Sequence, residues 1–242
     1  MRKLVLGILI GITVLTLSGI AAAVAEAPTA AKAKPQDLEK IEFIHWKKDF
    51  VRPDLAKAQK PTSCYKFLTP KGVRWPETVT YVINPTNPQE LRERFVTDAI
   101  STAAETWDAA TSGELTNNNY TLGYSAVYGV YDGKNAIVFG NYPTSGVIAV
   151  TSIWYNRITN TIVEFDMMFD TDWTWGDASS DSSKMDLQNI ATHEFGHAVG
   201  LGDLYQSACS AVTMYGYSNY GDIEKRSLAQ PDITGLRSLY GY

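Results

Sequence analysis

The stretch His193-Glu194-Phe195-Gly196-His197-Ala198-Val199-Gly200-Leu201-Gly202-Asp203 constrains this chain more than any other feature, and it holds two of the three histidines in 242 residues. On a helix, positions four apart lie on one face about one turn apart. Both imidazoles can then reach a single ion, with Glu194 beside them. Neutral nitrogen donors, an open position for water and a carboxylate to take that water's proton are what zinc-assisted hydrolysis needs. A bare His-x-x-x-His also occurs on helices that bind nothing, so the continuation decides. Gly200 falls where the helix must stop and turn if later residues are to return to the metal, and glycine enters the left-handed region at little cost. Asp203 then arrives as an oxygen ligand. Met214, in the small and polar segment Ser210 to Tyr215, suits a turn beneath the metal.

The run from Ile190 to Gly202, with Met214-Tyr215 and the tail from Leu228 to Gly241, closely resembles the matrixin-type metzincin peptidases. The resemblance extends from about Cys64 to the C-terminus. It implies an α+β fold: a twisted, mostly parallel sheet of about five strands with an edge strand over the cleft, an active-site helix, a Met-turn and a C-terminal helix. It also implies hydrolysis of peptide bonds in a peptide or protein substrate. One catalytic Zn²⁺ would sit on His193, His197 and Asp203, with Glu194 as general base. The family's usual third ligand is histidine, and Asp203 stands there as in the snapalysin-like members.

Further positions follow from the same resemblance. The run from Gly146 to Trp154, including Ala149 and Val150, resembles the edge strand at the rim of the cleft, where an extended peptide could add itself as another strand. Tyr215 and Tyr217 would wall the pocket for the residue after the cleaved bond, but Gly216 replaces the family's usual proline. In the acidic loop from Asp170 to Asp181, Met168 stands where the family has a ligand histidine, so a second zinc is not expected. Ca²⁺ on Asp170 or Asp172 competes there with an empty, solvated loop. A different class keeps the zinc but not the chemistry: an exported surface protein that binds peptide or cell-wall polymer without turnover. Intact Glu194 argues against it. A glutamate third ligand would have to be Glu224, which lacks the companion spacing.

Met1-Arg2-Lys3, the apolar run from Leu4 to Ile20 and the small residues to Ala27 read as a signal peptide cut after Ala25. The expected location is secreted or extracellular. An uncleaved, outward-facing anchor is the alternative and the one route to a membrane, since the run approaches the roughly 20 residues a span needs. The expected division is therefore 1–25 signal peptide, 26–62 linker or short propeptide, and 63–242 catalytic domain. His45, in the second segment, reads as an ordinary surface or packing residue. Net charge is −5, with no basic cluster beyond Lys47-Lys48, so nucleic acid is not an expected partner; 45% hydrophobic residues describe a globular chain, expected to be a monomer. Cys64 and Cys209 are the only cysteines. In an exported protein they are expected to pair, with a metal-capping thiol or free thiols as the other readings.

Local patterns supply the frame. Thr78 to Ile83, Ala136 to Phe139 and Thr161 to Asp170 read as strands. Asn87-Pro88-Gln89-Glu90 reads as a helix start, followed by a stripe of Leu91, Phe95, Ala99, Ala103 and Trp107. The active helix is expected from near Ser183, and a closing helix from Asp232 to Tyr240.

Overall fold

The computed structural model describes residues 37–50, 63–116 and 118–241. The expected signal peptide and most of the expected linker lie outside them. Among the described residues no helix is long and apolar enough to cross a membrane.

The backbone of the fold is a hairpin of two ten-residue strands, β5 (Val147–Asn156) and β6 (Thr161–Asp170), both nearly continuous in buried residues. At its turn, Asn156 Oδ1 accepts from the amides of Ile158 and Thr159, and Asn160 adopts φ +54°, which asparagine tolerates. Beside β6 lie β4 (Ala136–Gly140), β2 (Tyr81–Ile83) and β3 (Tyr120–Leu122), all parallel in pairing. These are the five strands of a mostly parallel sheet.

Two more strands extend it. β1 (Leu38–Lys47) pairs antiparallel with β5, and β9 (Tyr217–Ser218) pairs parallel with β1, giving the order β3-β2-β4-β6-β5-β1-β9. The expectation of β5 as a free edge is thereby corrected: residues assigned from sequence to a linker hold that edge. A separate two-stranded ribbon joins β7 (Trp175–Gly176) to β8 (Met185–Asp186).

Helix α1 (Glu93–Asp108) begins five residues later than the sequence suggests. Asn87 Oδ1 accepts from the amides of Gln89 and Leu91 in a turn, and Glu90 has φ +56°, which interrupts any helix started at Pro88. Ala99, Ala103 and Trp107 are nonetheless buried as the stripe requires, and the Trp107 indole donates to Thr192 O at 2.7 Å. That bond ties α1 to the active helix α2 (Leu187–Ala198), of which eleven of twelve residues are buried. α2 starts at Leu187 rather than Ser183 because Asp186 caps it, accepting from Asn189 N at 2.8 Å. Phe195 meets Tyr81 and Phe165 edge-on at centroid distances of 5.4 and 6.0 Å, joining α2 to the sheet.

The C-terminal part carries β9 and the closing helix α3 (Gln230–Tyr240). Cys64 and Cys209 are bonded, closing 145 residues of chain. In the loop-entropy model such a closure is worth up to about 5 kcal/mol.

Close packing makes Gly196 sensitive. A Cβ there would lie 2.1 Å from Met214 Sδ and 2.8 Å from Trp107 Cζ2. Gly196→Ala should therefore lower unfolding stability by about 1–3 kcal/mol despite alanine's better helix propensity. Gly113→Ala, which meets nothing within 4 Å, is the control. Equal denaturant midpoints for the two variants would show that Met214 does not press on α2.

Candidate metal centre

Helix α2 projects His193 and His197 from one face, and their orientation is set by the nitrogen that points away from the centre. His193 Nδ1 lies 2.7 Å from Thr213 O and His197 Nδ1 lies 2.8 Å from Leu201 O. A carbonyl only accepts, so each Nδ1 carries the proton and each Nε2 presents a lone pair. Asp203 Oδ1 lies 3.1 and 3.4 Å from those two Nε2 atoms. None of the three buried atoms has a hydrogen-bond partner. Three acceptors thus face one another within 4.8 Å with no donor among them. A cation is the chemical species that such a set fits.

Asp203 reaches the centre because the chain turns sharply after α2. Gly200 has φ +106°, and a Cβ there would lie 2.4 Å from Val73 O. The other Asp203 oxygen accepts from the Tyr205 hydroxyl at 2.8 Å. Gly216 is explained by the same tyrosine, since a Cβ on it would come within 2.4 Å of the Tyr205 ring. Met214 is fully buried beneath α2, in a turn held by Asp232, whose carboxylate accepts from the amides of Thr213 and Met214 at 2.9 and 3.2 Å.

Glu194 is fully buried beside the trio. Burial raises its carboxyl to about 7, while the His197 imidazole and the Thr151 hydroxyl act against the shift. Burial, reinforced by the Lys225 charge, pushes the His193 imidazole down to about 3, so it stays neutral. Thr151 Oγ1 donates to Glu194 Oε2 at 2.6 Å.

The structure brings His193, Glu194, His197, Asp203 and Met214 together. Ala149 and Val150 lie on the β5 side facing β1, where they pair with His45 and Ile44. Tyr215 and Tyr217 flank the other side, with Tyr217 in β9. Asp170 and Asp172 lie elsewhere: Asp170 Oδ1 accepts from Asp172 N at 2.9 Å, and Asp170 Oδ2 is buried without a partner. The two clusters of three potential ligands among the described residues include neither of them.

His45 departs most from its sequence reading. It is fully buried in the site, its ring 3.9 Å from that of His193 and its Nδ1 3.1 Å from Glu194 Oε1. Sequence reasoning also passed over Thr151, Tyr205, Lys225 and Asp232. Thr151 and Lys225 act through contacts with distant segments, whereas Tyr205 acts on Asp203 two residues before it and Asp232 lies in the family-like tail.

A family model for matrixin matches residues 74–241. The chain belongs to the matrixin family. It is 30% identical over 194 residues to neutrophil collagenase from Homo sapiens, covering 75% of this chain and 36% of that protein. It is 30% identical over 154 residues to the hatching enzyme of Paracentrotus lividus, covering 63% of this chain and 24% of that protein. A shorter stretch of 77 residues is 43% identical to matrix metalloproteinase-25 from Homo sapiens, 31% of this chain and 13% of that protein. The chain therefore spans little more than a third of these relatives at most.

If the trio holds the metal, Asp203→Ala should weaken zinc binding by more than the roughly 10- to 100-fold typical of losing an outer partner. Metal that binds only the folded state at 1,000 times its Kd adds about 4 kcal/mol of stability. A chelator should accordingly lower the melting temperature of the parent chain and leave that of the variant nearly unmoved. Equal zinc content in the two proteins would remove Asp203 from the centre.

Proposed function

We propose that the chain is a secreted, zinc-dependent endopeptidase that cuts extended peptide or protein segments laid along β5. The observation that carries this reading is the donor-free trio of buried acceptors with a carboxylate beside it. Zn²⁺ on His193, His197 and Asp203 would supply Lewis acidity toward the scissile carbonyl. Glu194 is the general base: it takes the proton of the attacking water and passes it to the leaving amine. Thr151 orients that carboxylate by donating to Oε2. Thr213 O and Leu201 O hold the two imidazoles in the tautomer that presents Nε2. Tyr205 restrains the Asp203 oxygen that does not face the trio.

A peptide would be held by main-chain pairing with β5 in the place that β1 takes in this structure, so affinity would come chiefly from backbone and selectivity from pockets along the groove. The Cys64–Cys209 bond suits an oxidising, extracellular compartment. Residues 63–242 are proposed as the catalytic domain and the segment before them as a pro-segment. A calcium ion at Asp170, through its unpartnered Oδ2, would be structural.

Glu194→Gln keeps the shape and removes the base. Peptide cleavage by the zinc-loaded variant should fall by about 10²- to 10⁴-fold, with metal content still near one per chain. Cleavage at the parent rate by the variant would exclude Glu194 as the base and favour a binding protein or a different reaction.

A further inference from the structure

Resting on that peptidase reading, we propose that Lys225 and Ser218 form a carboxylate cradle in the cleft. It selects peptides with an aspartate or glutamate directly after the cleaved bond.

Two buried donors converge on one acceptor. Lys225 Nζ lies 3.1 Å from His45 Nε2, Ser218 Oγ lies 3.0 Å from the same atom, and all three side chains are buried. An ammonium only donates, so Nε2 accepts and the imidazole is neutral. A neutral ring nitrogen offers a single lone pair and serves two donors poorly. A carboxylate has two oxygens and about four lone-pair sites, enough for an ammonium and a hydroxyl together.

The ammonium also lacks a counter-charge. Its other two bonds go to the carbonyls of Tyr215 and Tyr217, so its three partners are all neutral. Nearby carboxylates are committed elsewhere. Asp222 Oδ2 accepts from Lys48 Nζ at 2.6 Å and from Asn219 N at 2.8 Å, and Glu194 is engaged by Thr151 and His45. Burial lowers the Lys225 ammonium to about 7, with Asp203, Glu194 and Asp222 opposing the shift. With Zn²⁺ on the trio, the charges of Asp203 and Glu194 offset those of the ion, and the charge of Lys225 is left over. A carboxylate side chain closes that balance. An amide satisfies the hydrogen bonds without the charge, leucine does neither, and lysine or arginine sets a second cation against the first.

The cradle is rigid and stands beside the base. Lys225 sits in the single turn Glu224–Arg226, where its amide donates to Asn189 Oδ1 at 2.7 Å and Arg226 holds Asp186. Ser218 belongs to β9. Both donors are thus fixed to the start of α2 and to the wall that carries Tyr215 and Tyr217. His45 reaches them from the strand position opposite Ala149, and its Nδ1 lies 3.1 Å from Glu194 Oε1. Only the width of one imidazole separates cradle from base. A peptide side chain entering from the same position is the one next to the bond that Glu194 serves.

The test uses the zinc-loaded full chain with Lys225→Met and Ser218→Ala, zinc content and melting temperature being measured for each. Quenched fluorescent peptides that differ only in Glu, Gln, Leu or Lys after the cleaved bond are compared by kcat/KM, with the cut located by mass spectrometry. The parent should favour Glu over Leu by about tenfold or more, with Gln between them and Lys last. Lys225→Met should reverse the order of Glu and Leu, and Ser218→Ala should shrink the preference for Glu without reversing it. The same order of peptides in the parent and Lys225→Met, or an undiminished preference in Ser218→Ala, would overturn the proposal.

A second readout needs no turnover. His45→Glu and His45→Leu are compared by denaturant midpoint, once with Lys225 intact and once in the Lys225→Met background. Glutamate should be the more stable of the two with Lys225 intact and the less stable without it. Equal differences in the two backgrounds would overturn the cradle. If the coupling is present and no form cleaves any peptide, the cradle stands and the peptidase reading fails.

Discussion

Three buried acceptors facing one another without a donor are the constraint on which the rest of this structure depends. Two imidazole lone pairs and a carboxylate oxygen do not stabilise each other in a dry interior. Their positions fit a cation between them, and the surrounding fold holds them there. Thr213 O and Leu201 O fix the rings. The left-handed turn at Gly200 brings Asp203 back, and Tyr205 holds its outer oxygen. In the proposed centre the third ligand is an anion, so the metal site carries one less positive charge than one built on three imidazoles. A carboxylate is also shorter than an imidazole, and the backbone must come closer. Gly202 packs against the Phe67 backbone, where a Cβ would lie 3.3 Å from Phe67 O.

The centre is supported from below by packing and from the side by a capped helix. Trp107 and Met214 both press on Gly196, so the distance between α1, α2 and the Met214 turn is set by a residue with no side chain. Asp232 then couples that turn to α3 by accepting from Thr213, Met214 and Ala229. The Asp186 cap is braced by Arg226, which donates to its carboxylate and to Asp177. Each brace comes from the C-terminal part of the chain. The active helix is therefore fixed at its start by residues that follow it by about forty positions.

The parts legible in the sequence are those written locally. The spacing of His193, His197, Gly200 and Asp203 is a helix followed by a turn, and the pattern from Thr161 to Asp170 is a strand whatever it packs against. The Asn87 start failed because a cap motif and a local turn use the same side-chain acceptor, and Glu90 chose the turn. The free edge on β5 failed for a different reason. Unpaired edges are matched by whichever segment arrives, and nothing in Leu38 to Lys47 names its partner over a hundred residues away. His45 was illegible on the same ground: its meaning lies in Glu194, 149 positions on, and in Lys225, 180 positions on.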